Sequence, residues 1–190
     1  GSPFHYKCDV MKLFYGQTAQ SARLENALPR WDLMIAHPPC TFLSHSGIRW
    51  LYFEGRKENG IDKHRWQEME AACEFYIALW KLPAKRKRIE NPRQHPYAMK
   101  ILSDAGLPEP QFVQPHMFGE PQFKATGFRN DNMPSLVATN QLEVPKRGTQ
   151  EYKDWSKVHR ASPGPNRTMD RSRTIPGIAD ALATQLGERA

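Results

Sequence analysis

Cysteine, glycine and long apolar runs are all scarce in this chain. Only Cys8, Cys40 and Cys73 occur in 190 residues. An odd number of thiols without metal-ligand spacing argues against a disulfide frame or a structural zinc, and implies a reducing compartment. The histidines His37, His45, His64 and His116 share no metal spacing either. No stretch approaches a membrane span and no signal-peptide pattern is visible, so no membrane partner is expected. After Gly1 the next glycine is Gly16, so nothing near the start resembles a glycine-rich cofactor turn. Acid is also in deficit, with 20 carboxylates against 27 Lys and Arg and a formal net charge of +7.

What is present indicates one globular domain on the polar side. Apolar residues make up 39% and charged residues 25% of the chain. Residues 1–190 read as a single catalytic domain, with 1–3 as a tag scar. The basic balance favours a polyanionic partner, and nucleic acid is the commonest. Lys81, Lys85, Arg86, Lys87 and Arg88 precede or begin one strand, and Arg160, Arg167, Arg171 and Arg173 crowd a loop-rich segment over 133–173. Arginines on loops suit phosphate contacts.

Strands and helices alternate along the chain. A strand or turn is expected over 5–13 and a short helix over 19–27. Leu33 to His37 reads as a buried strand, followed by a long loop with a helical piece over 48–53. In Lys63 to Lys81, Trp66, Met69, Cys73, Ile77 and Trp80 recur at three- and four-residue steps, which predicts a helix with Cys73 in the core. Further strands are expected over 86–90, 112–114 and 123–128, and further helices over 95–105 and 177–186. This alternation indicates an α/β fold with a mostly parallel sheet.

Two strands end in the same way. Pro38 and Pro39 stop the first and leave Cys40 on a loop, and Asn91-Pro92 stops another just after Glu90. If these strands are parallel neighbours, thiol and carboxyl converge at the carboxyl edge of the sheet, where ligands gather in open α/β folds. A thiol beside an acid suits nucleophilic attack assisted by proton transfer. A buried inert thiol and a surface carboxylate paired with a neighbouring Lys or Arg are the plainer alternatives. His37, Ser44 and His45 flank the thiol and suit orienting it. Phe42 and Trp50 suit either a base pocket or the core.

Pro38-Pro39-Cys40-Thr41-Phe42-Leu43-Ser44, Glu90-Asn91-Pro92 and Gly119-Glu120-Pro121-Gln122 resemble, in order and spacing, the DNA cytosine methyltransferases that modify carbon 5. The likeness is closest to a compact form of phage and prophage genomes, whose last element is similar to Arg171-Ser172-Arg173-Thr174, Gly177-Ile178-Ala179 and Gln185-Leu186-Gly187. It spans roughly residues 5–187. The resemblance implies a Rossmann-like three-layer fold in the cytoplasm of a bacterial or phage-infected cell. It implies Cys40 as nucleophile on carbon 6 of a flipped cytosine, Glu90 on ring nitrogen 3, and S-adenosylmethionine as methyl donor. Lys124, then Arg49, are the candidates for the positive charge that favours a Cys40 thiolate. Asp9, Pro38 and Pro39 fall to the cofactor side. Asn91, Ser44, Arg49, Gln122, Thr126, Arg171 and Arg173 fall to the DNA side.

The chain departs from that family in three ways. The glycine turn is missing, so the sheet is expected to be truncated at its amino-terminal edge, with a homodimer as one way to cover it. Lys124 and Thr126 stand where two arginines are usual, which loses a bidentate fork. No target-recognition domain fits between Met133 and Arg173. Two other readings follow: a catalytically inactive or cofactor-free relative that binds DNA or nucleotides, and a thiol enzyme acting on a free pyrimidine nucleotide.

Overall fold

The computed structural model describes residues 10, 32–156 and 175–187. Strand β1 (Leu33–Ala36) leads through an arm of 3-10 turns over 45–59 into helix α1 (Lys63–Lys81). Next come β2 (Arg86–Pro92), α2 (Pro96–Asp104), β3 (Gln111–Val113) and β4 (Thr126–Asp131). Two more helices close the described chain: α3 (Gln150–Trp155) and α4 (Pro176–Gly187). Among the described residues no helix is long and apolar enough to cross a membrane.

The sheet has the order β1-β2-β4-β3. β1 and β2 are parallel, with Ala36 beside Ile89, and the crossover between them carries α1, as a parallel pair requires. β4 runs antiparallel to both β2 and β3. The expectation of a mostly parallel sheet is therefore corrected. β1, β2 and β3 share one direction, but β4 lies between β2 and β3 and turns both of its ladders antiparallel. Local sequence encodes that a segment is extended, not which neighbour it will join.

Sequence pattern explains the helices and what they bury. Asp62 caps α1 by accepting the Arg65 N–H at 3.0 Å, and Leu82-Pro83 ends it. Its Met69, Cys73, Tyr76 and Leu79 are buried against Ile89 of β2, Leu43, Leu51 and, from α2, Ala98 and Leu102. Each fully buried aliphatic of this size contributes about 1.5–3 kcal/mol. On the opposite sheet face, Val113 and Phe128 pack with Phe118, Leu136 and, from α4, Ile178 and Ala181. The result is an α/β fold compatible with a Rossmann-like arrangement. Among the described strands β1 stands at the end of the order, and its Ile35 is 43% exposed.

Two arginines cross this core without a carboxylate partner among their hydrogen bonds. Arg129 of β4 reaches Gln94 Oε1 at 2.7 Å, the Pro108 carbonyl at 2.9 Å and Tyr76 Oη at 3.4 Å. Arg88 of β2 reaches Asn130 Oδ1 and the Pro134 carbonyl, both at 2.7 Å. Burial lowers the Arg88 pKa. Such groups persist inside because their hydrogen bonds offset desolvation.

Candidate active site

Four segments meet at one edge of the sheet. β1 ends at Ala36 and β2 at Pro92, side by side. β4 starts at Thr126 opposite Pro92, and β3 ends at Val113 opposite Thr126. The loop 37–44, the run-out 90–95, the turn 114–117 and the lead-in 122–126 therefore share a rim. Cys40 and Glu90 both stand on it, because β1 and β2 are parallel neighbours.

The Cys40 loop is sewn to the end of β2 by five hydrogen bonds. His37 Nδ1 lies 2.7 Å from Glu90 Oε2. Buried Asn91 donates from Nδ2 to the Pro38 carbonyl at 3.1 Å. The His45 N–H donates to the Arg93 carbonyl at 2.8 Å, and the His95 N–H to the Leu43 carbonyl at 3.0 Å. His95 Nε2 lies 3.0 Å from the Phe42 carbonyl, while its Nδ1 accepts the Ala98 N–H at 3.2 Å and caps α2. An imidazole that accepts at Nδ1 and faces a carbonyl at Nε2 is neutral with its proton on Nε2. Burial holds the His95 pKa below its usual 6.5, in keeping with that state. Within the loop, the N–H groups of Leu43 and Ser44 both donate to the Cys40 carbonyl, at 3.1 and 3.0 Å.

The expected site residues occupy distinct positions. Cys40, Lys124 and Ser44 are half-buried on the rim. The Lys124 N–H donates to Gln114 Oε1 at 3.0 Å, which ties the lead-in of β4 to the end of β3. Ser44 bridges to Gln94, and its Oγ lies 3.2 Å from Ser46 Oγ. Thr126 is buried and donates its hydroxyl back to the Lys124 carbonyl at 3.2 Å. Arg49 lies on the 3-10 arm with its guanidinium 4.4 Å from the exposed Trp50 ring. Phe42 is half-buried beneath Arg65, at 4.4 Å. Gln122, at the start of the lead-in to β4, lines a cleft of about 390 Å³ with Glu120, Glu151 and Asp154, whose carboxylates favour cations over phosphate. Asp9, Arg171 and Arg173 lie outside the described residues, as do the helix expected over 19–27 and, apart from Val10, the strand expected over 5–13.

Comparison with protein-family models, curated proteins and solved structures gave no match. The reading of this site therefore rests on its own geometry and on the motif resemblance.

Two features of the rim are not evident from residue order. The His37–Glu90 pair joins residues 53 apart in sequence, and only the ladder brings them together. His95 ties the loop to α2, and its one sequence signal is its place before Pro96, the usual position of a cap ahead of a first-turn proline. A glutamine missed for the same reason is Gln94, whose Oε1 accepts from Arg129.

Of the residues expected on the cofactor side, Pro38 and Pro39 have no N–H to offer S-adenosylmethionine, and the Pro38 carbonyl already accepts one hydrogen bond, from Asn91. Asn91 Oδ1 and Gln94 Nε2 are buried without a hydrogen-bond partner, one acceptor and one donor.

Proposed function

We propose that this protein is a DNA cytosine C5-methyltransferase-like protein, in which Cys40 forms a covalent bond to carbon 6 of a flipped cytosine. The observation that carries the reading is the stitched rim: parallel neighbours β1 and β2 hold a half-buried thiol and a carboxyl group at one carboxyl edge. Attack at carbon 6 needs a thiolate and a group that meets ring nitrogen 3 as electron density moves toward it. Cys40 and Glu90 are assigned those roles, with Asn91 holding the loop and Lys124 adding positive charge at the rim. S-adenosylmethionine as methyl donor, and a complete three-layer fold around the sheet, are inferred from the motif resemblance alone.

The test is covalent trapping on a duplex containing 5-fluorocytosine with S-adenosylmethionine present, read as a protein–DNA adduct under denaturing conditions. An adduct that disappears in Cys40→Ala supports the assignment. Wild-type protein that binds the duplex but never forms the adduct would sink it. The second reading, a cofactor-free relative that only grips nucleic acid, is favoured by Pro38 and Pro39, which stand on the expected cofactor side with no N–H to offer. Calorimetric titration of S-adenosylmethionine with and without duplex separates the two: heat of binding in either arm counts against the cofactor-free relative.

A further inference from the structure

His37 is more than a neighbour of the thiol. Its Nδ1 lies 2.7 Å from Glu90 Oε2. Both sides of His37 are fixed. The residue before a proline is confined to extended backbone, which aims His37 from the end of β1. The carbonyl of that proline is then pinned by buried Asn91. The contact is therefore built by two strands and a clamp, unlike a pair of long surface side chains. Glu90 keeps 27% of its side chain exposed and His37 58%, so the pair is open to solvent and to an incoming base.

We propose that His37 is a positioning residue and proton reservoir for Glu90, an inference that rests on the nucleophilic reading of Cys40. In the resting pair the proton sits on the imidazole and Glu90 is a carboxylate. As Cys40 Sγ bonds to carbon 6, the pair of electrons of the C5–C6 double bond moves into the ring toward nitrogen 3. Glu90 takes the proton from His37, which becomes neutral, and passes it to nitrogen 3, ending again as a carboxylate. The adduct carries the charge that began on the thiolate only until nitrogen 3 is protonated; it is then neutral, His37 has lost its positive charge, and the net single negative charge is that of the Glu90 carboxylate. When the C5–C6 double bond re-forms, the Sγ–C6 bond breaks to release thiolate, and the proton returns from nitrogen 3 through Glu90 to His37. No oxidant or reductant is involved.

The surroundings agree with this division of labour. The hydrogen bond that His37 donates to Glu90 is the largest influence and raises the His37 pKa; burial, next in size, lowers it, and the charge of Glu90 raises it by less again. The other ionisable groups on the rim segments are Cys40 in the loop with His45 just after it, Arg93 and His95 after β2, His116 in the turn after β3, and Lys124 before β4; burial lowers the pKa of His95 and of His116. Arg93 holds its guanidinium 4.5 Å from the Phe112 ring. Across the sheet, Tyr76 carries a raised pKa to which Glu90 contributes least, behind burial. His37 thus supplies a cation to the acid in a chain with Lys124 and Thr126 in place of two arginines.

Two measurements decide the matter. Long-range proton–nitrogen spectra of ¹⁵N-histidine protein follow the His37 titration in wild type and Glu90→Gln. The rate of trapping on 5-fluorocytosine duplex is then followed against pH in wild type and His37→Gln. The His37 midpoint is expected to fall in Glu90→Gln. Trapping is expected to slow by about tenfold to a hundredfold in His37→Gln, the usual range for a lost acid–base partner or somewhat below it, and to lose the wild-type pH limb that coincides with the His37 midpoint. An unmoved midpoint overturns the pairing. Wild-type trapping whose pH profile survives in His37→Gln overturns the proton role alone. Coupled spectra with no wild-type adduct at any pH overturn the nucleophilic reading, and the proton role with it.

Discussion

At the scale of single residues, Cys40 and Cys73 show how position decides what a thiol can do. Cys73 is fully buried on α1, and burial, with Glu70 as a lesser cause, pushes its pKa up to about 12. At pH 8 its thiolate fraction is then about one in ten thousand, whereas an ordinary thiol is tens of per cent ionised. Cys40 is half-buried on the rim. Iodoacetamide on native protein at pH 8 is expected to label the Cys40 peptide and spare the Cys73 peptide, as read by mass spectrometry. Equal labelling of the two would contradict the burial of α1. Cys73 was legible as core because it falls on the apolar stripe of a helix. Cys40 was legible as a rim residue because two prolines end its strand. The partner of Glu90 was not legible, since the contact with His37 depends on strand register and nothing local announces it.

At the scale of elements, the best-read parts are those with strong local punctuation. The bounds expected for α1 match the structure, since Asp62 caps one end and Leu82-Pro83 stops the other. β4 shows the opposite case. A strand expected over 123–128 is found at Thr126–Asp131, because Phe123 leaves the ladder for an aromatic cluster with Tyr152 and Trp155, at 4.9 and 5.4 Å between ring centres. Tyr152 and Trp155 lie on α3, a helix of six residues within the segment read as loop; so short a helix has little periodicity to detect. Two glutamines hold the irregular stretch after β4. Gln111 exchanges hydrogen bonds with both peptide groups of Leu136 at 2.7 and 2.8 Å, and Gln185 of α4 does the same for Val137 at 2.8 and 2.9 Å. Side chains here replace the ladder that the backbone lacks.

Two predictions belong to these elements. Gly177 sits at the start of α4, where an added Cβ would come within 2.2 Å of the Phe118 carbonyl oxygen. Gly177→Ala is expected to cost about 1–3 kcal/mol through overpacking, seen as a lower urea midpoint with an unchanged slope. The second concerns His95, whose pKa is lowered in the fold. It binds fewer protons folded than unfolded, so the stability it lends is complete above the ordinary value of 6.5 and is lost as pH falls toward the folded value. His95→Asn keeps a capping side chain but gives up the reach to Phe42. It is expected to cost about 1 kcal/mol at pH 8 and to show a shallower loss of stability than wild type below pH 6.5 in urea melts. A variant that tracks the wild-type acid slope would show that His95 titrates normally.

At the scale of the whole molecule, charge and architecture point the same way. The net charge of +7 is a property of the full chain, and part of it lies on residues outside those described. Among the described residues, Arg49, Arg56, Lys57 and Arg93 are exposed on the arm and the run-out of β2, the two segments that flank the Cys40 loop. A duplex presented to the rim would meet these groups first. Each phosphate neutralised releases counterions, so affinity falls with salt at a slope of about −0.9 per contact, and two contacts alone give a loss of roughly tenfold between 50 and 200 mM salt. Fluorescence anisotropy with a labelled duplex is expected to show at least that loss, and Arg56→Gln with Lys57→Gln is expected to flatten the slope. The same titration with free cytidine monophosphate separates a duplex reader from an enzyme of free pyrimidine nucleotides. Tight nucleotide binding beside salt-insensitive or absent duplex binding would move the substrate from DNA to the nucleotide, and would leave the pairing of Cys40 with Glu90 to serve the smaller molecule.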